Sequence, residues 1–188
     1  MQQLHNLMRK FGYGLLTLLF AACLGLATPS NAEARGDIEV GAAFGWIGLV
    51  HDAEDIYNGF TFSIDAGYRF TDWVGLYIEQ DLGGIWHEDD DHVNGFYGAT
   101  LVEGKFIYAV NSLELFGKVG LGATYVDVDY DGYGDWDNAW FAIRLGIGAT
   151  YMIGSNWGLG LNFDWTPGFD DDVVMHFIKL QLHLAFKF

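Results

Sequence analysis

The chain has one cysteine, two prolines and few basic residues, and these shortages exclude several classes of protein. With Cys23 as the only cysteine, no intramolecular disulfide can form, so stability must come from backbone pairing and packing. Nine Lys and Arg residues against 25 Asp and Glu residues give a formal charge of −16. Such an acidic chain argues against nucleic-acid binding.

The N-terminus has the features of an export signal. Arg9 and Lys10 precede an apolar run over residues 11–27, and residues 30–32 (Ser-Asn-Ala) supply the small-x-small pattern that signal peptidase needs. We therefore predict a signal peptide over residues 1–32 and a single domain over residues 33–188. That domain would carry 7 Lys and Arg against 25 Asp and Glu, a formal charge of −18.

Two alternatives to a cleaved signal remain open from the sequence. A membrane anchor is one, although the apolar run is short and is followed by alternating residues. Lipoprotein processing at Cys23 is the other, because residues 20–23 loosely resemble a lipobox.

Apolar and polar residues alternate through most of the chain, and the last fifteen residues show this most clearly. Between Ile178 and Phe188 every even position is apolar, and the odd positions are mostly polar. Behind an export signal, this repeated pattern favours strands with lipid on one side and a polar lumen on the other. The predicted strands cover residues 37–50, 59–70, 73–84, 96–108, 113–125, 139–152, 157–165 and 174–188.

The connections between these strands alternate in length. Short ones are predicted near residues 71–72, 109–112 and 153–156; longer ones lie near residues 51–58, 85–95, 126–138 and 166–173. An even strand count with short turns at one end predicts an all-β fold, an eight-stranded antiparallel up-and-down transmembrane β-barrel. We expect it in the bacterial outer membrane, with both termini periplasmic and the long loops extracellular.

The basic residues test the assignment of faces. Six of the seven Lys and Arg residues after residue 32 have inward parity, and the seventh, Arg35, precedes the first strand. A charge facing the middle of the bilayer would cost about 2 to 4 kcal/mol, so its absence from every outward row favours a membrane barrel.

Three segments resemble the small outer-membrane barrel family that includes the transmembrane domain of OmpA and OmpX. They are residues 67–73 (GYRFTDW), residues 113–122 (LELFGKVGLG) and the terminal Phe188. The resemblance covers the whole of residues 33–188, and it implies the fold and the location more firmly than any activity.

Inward charges predict ion pairs in the lumen. If the turn between strands six and seven centres on residue 154, Arg144 lies directly across from Asp164, and a turn centred on 110.5 sets Glu103 against Lys118. Eight strands enclose an interior that side chains can fill, so these pairs favour a plugged lumen over a wide pore.

The four long connections carry 15 of the 25 acids and no Lys or Arg. A solvated, negatively charged surface is the simple interpretation. Residues 126–138 also resemble the opening of a calcium-binding loop, in which alternate aspartates can turn their oxygens toward one centre. The predicted Ca²⁺ ligands are Asp127, Asp129, Asp131, Asp135 and the carbonyl of Tyr133.

The sequence favours a monomeric, non-enzymatic barrel with a structural or surface-interaction role, surrounded by outer-membrane lipid and lipopolysaccharide. The alternative is a narrow channel for ions or small apolar molecules, as in OmpW-type barrels. A lipid A-modifying enzyme is the weakest alternative, because Ser63 is the one inward serine after residue 32 and no histidine is close to it in sequence. A partner could come from another strand, and His183, which has inward parity, could pair with an acid. No cofactor is predicted apart from the Ca²⁺ at residues 126–138.

Overall fold

The computed structural model describes residues 37–50, 56–87, 93–130, 134–169 and 174–188. The predicted signal peptide and its cleavage site lie outside these residues, so residues 1–32 stay a prediction. The described residues contain no helix long and apolar enough to cross a membrane.

The described residues form eight antiparallel strands that close into one barrel in the order β1 to β8, with β8 paired to β1. The strands are β1 (Asp37–Val50), β2 (Ile56–Thr71), β3 (Val74–His87), β4 (Val93–Val110), β5 (Leu113–Tyr130), β6 (Gly134–Ile153), β7 (Trp157–Phe169) and β8 (Val174–Lys187). The predicted fold class is confirmed. Several strands run further than predicted, which shortens the connections that the sequence suggested.

The two ends of the barrel differ. At one end, called the turn end here, residues 72–73, 111–112 and 154–156 connect the strands. The turns use residues that tolerate a left-handed backbone, since Asn111 has φ 56° and Gly154 has φ 83°. At the opposite end, called the loop end, the strands end at residues 50, 87, 130 and 169, and the residues that follow (51–55, 88–92, 131–133 and 170–173) lie outside the described ranges.

Inward and outward faces follow the predicted parity. The outward face of each strand presents exposed apolar side chains such as Phe62, Ile147 and Leu161, whereas all six described Lys and Arg residues are buried. Exposed aromatic residues, including Trp73, Tyr151 and Trp157, lie near the turn end. This distribution is that of a barrel with an apolar outer belt and a polar interior.

The ladder between β6 and β7 is interrupted in its loop half. Backbone pairing runs from Phe141 and Ala142 directly to Leu145, and Pro167 lies on the facing strand at this point. Proline has no N–H to donate, so it interrupts a ladder. The Arg144 side chain partly bridges the interruption, because its Nε donates to Thr166 Oγ1 at 2.9 Å.

Candidate functional site: the closed lumen

The barrel interior is the candidate site, and it is divided into layers. Nearest the loop end is an apolar plug of buried side chains that meet across the lumen: Ile47, Leu49, Ile85, Tyr97, Ala99, Leu101, Val126, Trp140, Met175 and Phe177. Aromatic packing joins its members, with the Phe177 ring 5.0 Å from Tyr97 and 6.3 Å from Trp140 between centroids. Sequence reasoning missed this layer, since on these strands apolar residues occupy both parities.

An ionic network fills the middle of the lumen. It consists of three bases and four acids, all buried: Lys118, Arg144, Lys179, Glu79, Asp81, Glu103 and Asp164. They come from strands on opposite sides of the barrel, so the network ties the walls together. Buried charges of this kind are tolerated because each has partners of opposite sign.

Arg144 is the centre of this network. It is fully buried, and its guanidinium reaches Glu79 and Asp81 at 2.5 Å each and Glu103 at 3.0 Å. The planar fork of arginine can serve several carboxylates at once, which a lysine cannot do with the same geometry. This single side chain therefore links β6 to β3 and β4.

The two lysines complete the network. Lys118 Nζ lies 2.9 Å from Glu79, 3.2 Å from Asp164 and 3.5 Å from Glu103. Lys179 Nζ lies 2.8 Å from Asp81, 3.0 Å from Glu79 and 3.5 Å from Asp164.

All four residues predicted to form lumen ion pairs are brought together here, but the predicted registers were wrong by one step of two residues. Asp164 faces Gly146 instead of Arg144, and Glu103 faces Gly120 instead of Lys118. The reason is that the turns are centred further along the chain than expected, at residues 111–112 and 154–156. An even step keeps the inward face inward, so the burial of these residues is unaffected.

The partners differ accordingly. Glu103 and Lys118 do lie within ion-pair distance, although diagonally. Arg144 and Asp164 form their ion pairs with other residues, Arg144 with acids of β3 and β4 and Asp164 with the two lysines.

The turn half of the lumen is polar and less tightly filled. Lys105 binds Glu39 at 2.7 Å, and His183 Nε2 lies 3.4 Å from Asp65. A cavity of about 20 Å³ remains between them, which is room for roughly one water molecule. Three buried polar atoms of the residues that line it have no hydrogen-bond partner among the described residues: Tyr77 Oη, Asn162 Oδ1 and His183 Nδ1.

Large side chains fill the space above the inward glycines of β6. A Cβ at Gly148 would collide with the Phe116 ring, and one at Gly146 would collide with the Asp164 carboxylate. The small residues therefore make room for Phe116 and for the ionic network instead of opening a channel.

A further pair of ionic contacts lies at the turn end. Glu114 forms ion pairs with Arg69 at 3.0 Å and with Lys187 at 2.7 Å.

The predicted calcium ligands lie at the loop end. Asp129 pairs with Asp135 in the β5–β6 ladder, and Asp127 pairs with Asp137. Residues 131–133, which include Asp131 and Tyr133, lie outside the described residues. Among the described residues no group of three potential metal ligands is found.

Ser63 and His183, the inward residues weighed for catalysis, have separate partners. Ser63 Oγ donates to Asp81 at 2.5 Å and accepts a hydrogen bond from Gln181 at 2.7 Å, whereas His183 lies beside Asp65. Both are buried within the lumen.

The family described as the outer membrane protein beta-barrel domain matches residues 16–188. The chain belongs to this family. No protein of curated function is significantly similar in sequence.

Solved outer-membrane barrels have the same fold. Neisserial surface protein A superposes with a TM-score of 0.63 at 16% identity, over 81% of this chain and 97% of that protein. Ail, the attachment invasion locus protein of Yersinia pestis, gives 0.59 at 15% identity over 81% and 99%. OprG of Pseudomonas aeruginosa gives 0.59 at 9% identity over 85% and 99%. At these identities the likeness concerns the fold alone.

Proposed function

We propose that this outer-membrane barrel is a closed, non-enzymatic protein with a structural or surface-interaction role. The observation that carries the proposal is the filling of the lumen at two successive levels, the apolar plug and the ionic network. An ion crossing the barrel would have to displace an aromatic cluster and then break several buried ion pairs. Both steps oppose conduction.

Conductance of the refolded protein in a planar bilayer tests this function. The expected result is an electrically silent membrane over a range of voltages and salt concentrations. A double variant, Trp140→Ala with Phe177→Ala, serves as a comparison because it removes two of the three large aromatic rings of the plug. Discrete, reproducible openings by the unaltered protein would contradict the proposal and support the alternative, a narrow channel.

The cavity in the turn half is the observation that favours the channel alternative. Its unpartnered polar atoms could be hydrated, which would wet the lumen from the turn end as far as the ionic network. A conducting path would still have to cross the apolar plug, so we rank this function second.

We further propose that the turns and both termini face the periplasm and that the loop end faces the cell exterior, among lipopolysaccharide and outer-membrane lipid. Turns of two or three residues at one end and acidic connections of three to five residues at the other support this orientation. The acidic loops suit cationic partners, including Ca²⁺ at residues 126–138, because ligands there would be carboxylate and carbonyl oxygens.

The acidic loops also distinguish this chain from one of its structural neighbours. Ail has been crystallised with the heparin analogue sucrose octasulfate. Residues 51–58, 85–95, 126–138 and 166–173 here contain 15 acids and no Lys or Arg. We expect a sulfated polyanion to be repelled from this surface instead of bound.

A further inference from the structure

Two polar side chains interrupt the apolar outer belt of the barrel. Gln80 of β3 and Thr100 of β4 have outward parity and are partly exposed, and they are cross-strand partners. Gln80 lies midway along β3, seven residues from His87 and six from Val74. In the described central part of the strands, the other outward positions hold apolar residues or glycine.

Apolar residues surround the pair on every side. Along β3 the next outward residues are Ile78 and Leu82, and along β4 Val102 is the next one toward the turn end. The cross-strand neighbours are Ile64 on β2 and Ala123 on β5. The pair therefore lies at the level of the hydrocarbon, where water is not available as a hydrogen-bond partner.

Only part of the hydrogen-bonding capacity of Gln80 is used within the chain. Thr100 Oγ1 donates to Gln80 Oε1 at 2.6 Å, and Gln80 Nε2 donates to the carbonyl of Asp81 at 3.1 Å. A glutamine amide has two N–H donors and two acceptor lone pairs. One donor and one acceptor of the same amide thus remain unused by these two hydrogen bonds.

We propose that Gln80 and Thr100 mark a contact surface at which a second copy of this chain binds side by side in the membrane. Around a twofold axis, the remaining N–H of each Gln80 donates to the remaining lone pair of the other, which forms a reciprocal amide pair. Lipid acyl chains offer no acceptor for that donor, whereas a second copy satisfies both free positions at once. The small, exposed Ala123 beside Thr100 lowers the surface at this point and allows close approach.

This inference concerns the outer wall and does not depend on whether the lumen conducts. The sequence predicts a monomer, whereas this contact surface predicts a weakly associating dimer.

Cysteine cross-linking in outer membranes tests the proposal in the full chain. Leu82→Cys, in a Cys23→Ser background, places a thiol one outward position from Gln80. Leu161→Cys is the matched control, because Leu161 is an exposed outward leucine on β7, four strands away around the barrel. We expect an oxidised dimer of twice the chain mass from Leu82→Cys and none from Leu161→Cys.

Adding Gln80→Leu and Thr100→Val should lower the dimer yield of Leu82→Cys by about tenfold, since two hydrogen bonds related by the axis are lost. Asn58→Leu removes an outward amide near the loop end and should leave the yield unchanged. Heat-modifiable migration on gels verifies that each variant is folded. Equal cross-linking at residues 82 and 161, a yield unaffected by removal of the pair, or a product containing another protein would each overturn the proposal.

Discussion

At the scale of single residues, Arg144 is the guanidinium that joins three acids of the ionic network. It is fully buried and its guanidinium faces three carboxylates. Replacing it with Met would leave Glu79, Asp81 and Glu103 with only the two lysines of the network. We expect a loss of about 3 to 5 kcal/mol in the free energy of unfolding, as for other buried pairs from which one partner is removed.

Urea unfolding of the barrel in lipid vesicles measures this effect. Arg144→Lys is the matched variant, because it keeps the charge but cannot reach three carboxylates and Thr166 together. Its free energy of unfolding should lie between those of the unaltered protein and Arg144→Met. Adding Glu103→Gln to Arg144→Met should recover part of the lost free energy of unfolding, because it removes one of the carboxylates that Arg144 contacts. If Arg144→Met unfolds at the same urea concentration as the unaltered protein, the network is not what stabilises the barrel.

Replacement of glycine by alanine tests how tightly the lumen is packed, because the same substitution can be made at inward-facing Gly146 and at outward-facing Gly104. A Cβ at Gly146 would collide with the Asp164 carboxylate and lie 2.9 Å from the Lys118 side chain, whereas the nearest atom to a Cβ at Gly104 is 3.9 Å away. We expect Gly146→Ala to lower the free energy of unfolding by about 1 to 3 kcal/mol. Gly104→Ala should be neutral or stabilise by up to about 1 kcal/mol. Equal effects in the same vesicle assay would mean that the lumen relaxes around the added methyl group.

At the scale of strands, the sequence was a good guide to which residues form each element and a poor guide to which residues meet. Alternation predicted eight strands with the observed faces, because parity survives errors at the strand ends. The partners of Arg144 could not be predicted, since Glu79 and Asp81 lie three strands away and reach it only across a closed barrel. The apolar plug was missed for a similar reason: inward Tyr97 and Leu101 differ from outward apolar residues only by parity.

The β5–β6 hairpin carries the calcium prediction. Asp129 and Asp135 are cross-strand partners in the backbone ladder, and Asp127 pairs with Asp137 two residues further along it. Like charges placed directly opposite repel each other, which a bound cation would relieve. We expect millimolar Ca²⁺ affinity, because the loop lacks the bidentate glutamate of tighter sites.

Calorimetric titration of the refolded barrel with Ca²⁺ measures that binding. The comparison is an Asp129→Ala and Asp131→Ala double variant, with Asp170→Ala and Asp171→Ala as a matched loss of two loop charges elsewhere. Heat that disappears only in the first variant supports a site at residues 126–138. Equal heats from all three proteins would mean that these residues form an acidic surface without a specific site.

At the scale of the whole molecule, the two ends of the barrel differ, and this asymmetry is the basis of the orientation that we propose. The turn end has connections of two or three residues, and Lys187, Glu114 and Arg69 pair there beneath a rim of exposed aromatics such as Trp73 and Trp157. The connections of the loop end and the adjoining strand ends (residues 51–58, 85–95, 126–138 and 166–173) contain 15 of the 25 acids. Short turns are compatible with passage through the bilayer during insertion, whereas the acidic connections of the loop end would be costly to move back.

We therefore expect an epitope tag inserted within residues 131–133 to bind antibody on intact cells, and a tag within residues 154–156 to bind only after the outer membrane is permeabilised. Both insertions fall in connections between strands, so neither removes a ladder hydrogen bond from the sheet. Heat-modifiable migration of each tagged protein controls for folding, and an antibody to a periplasmic protein controls for leaky cells. Surface binding by the tag at residues 154–156 would mean that the barrel is inserted with its turns outward, and the loop end would then face the periplasm.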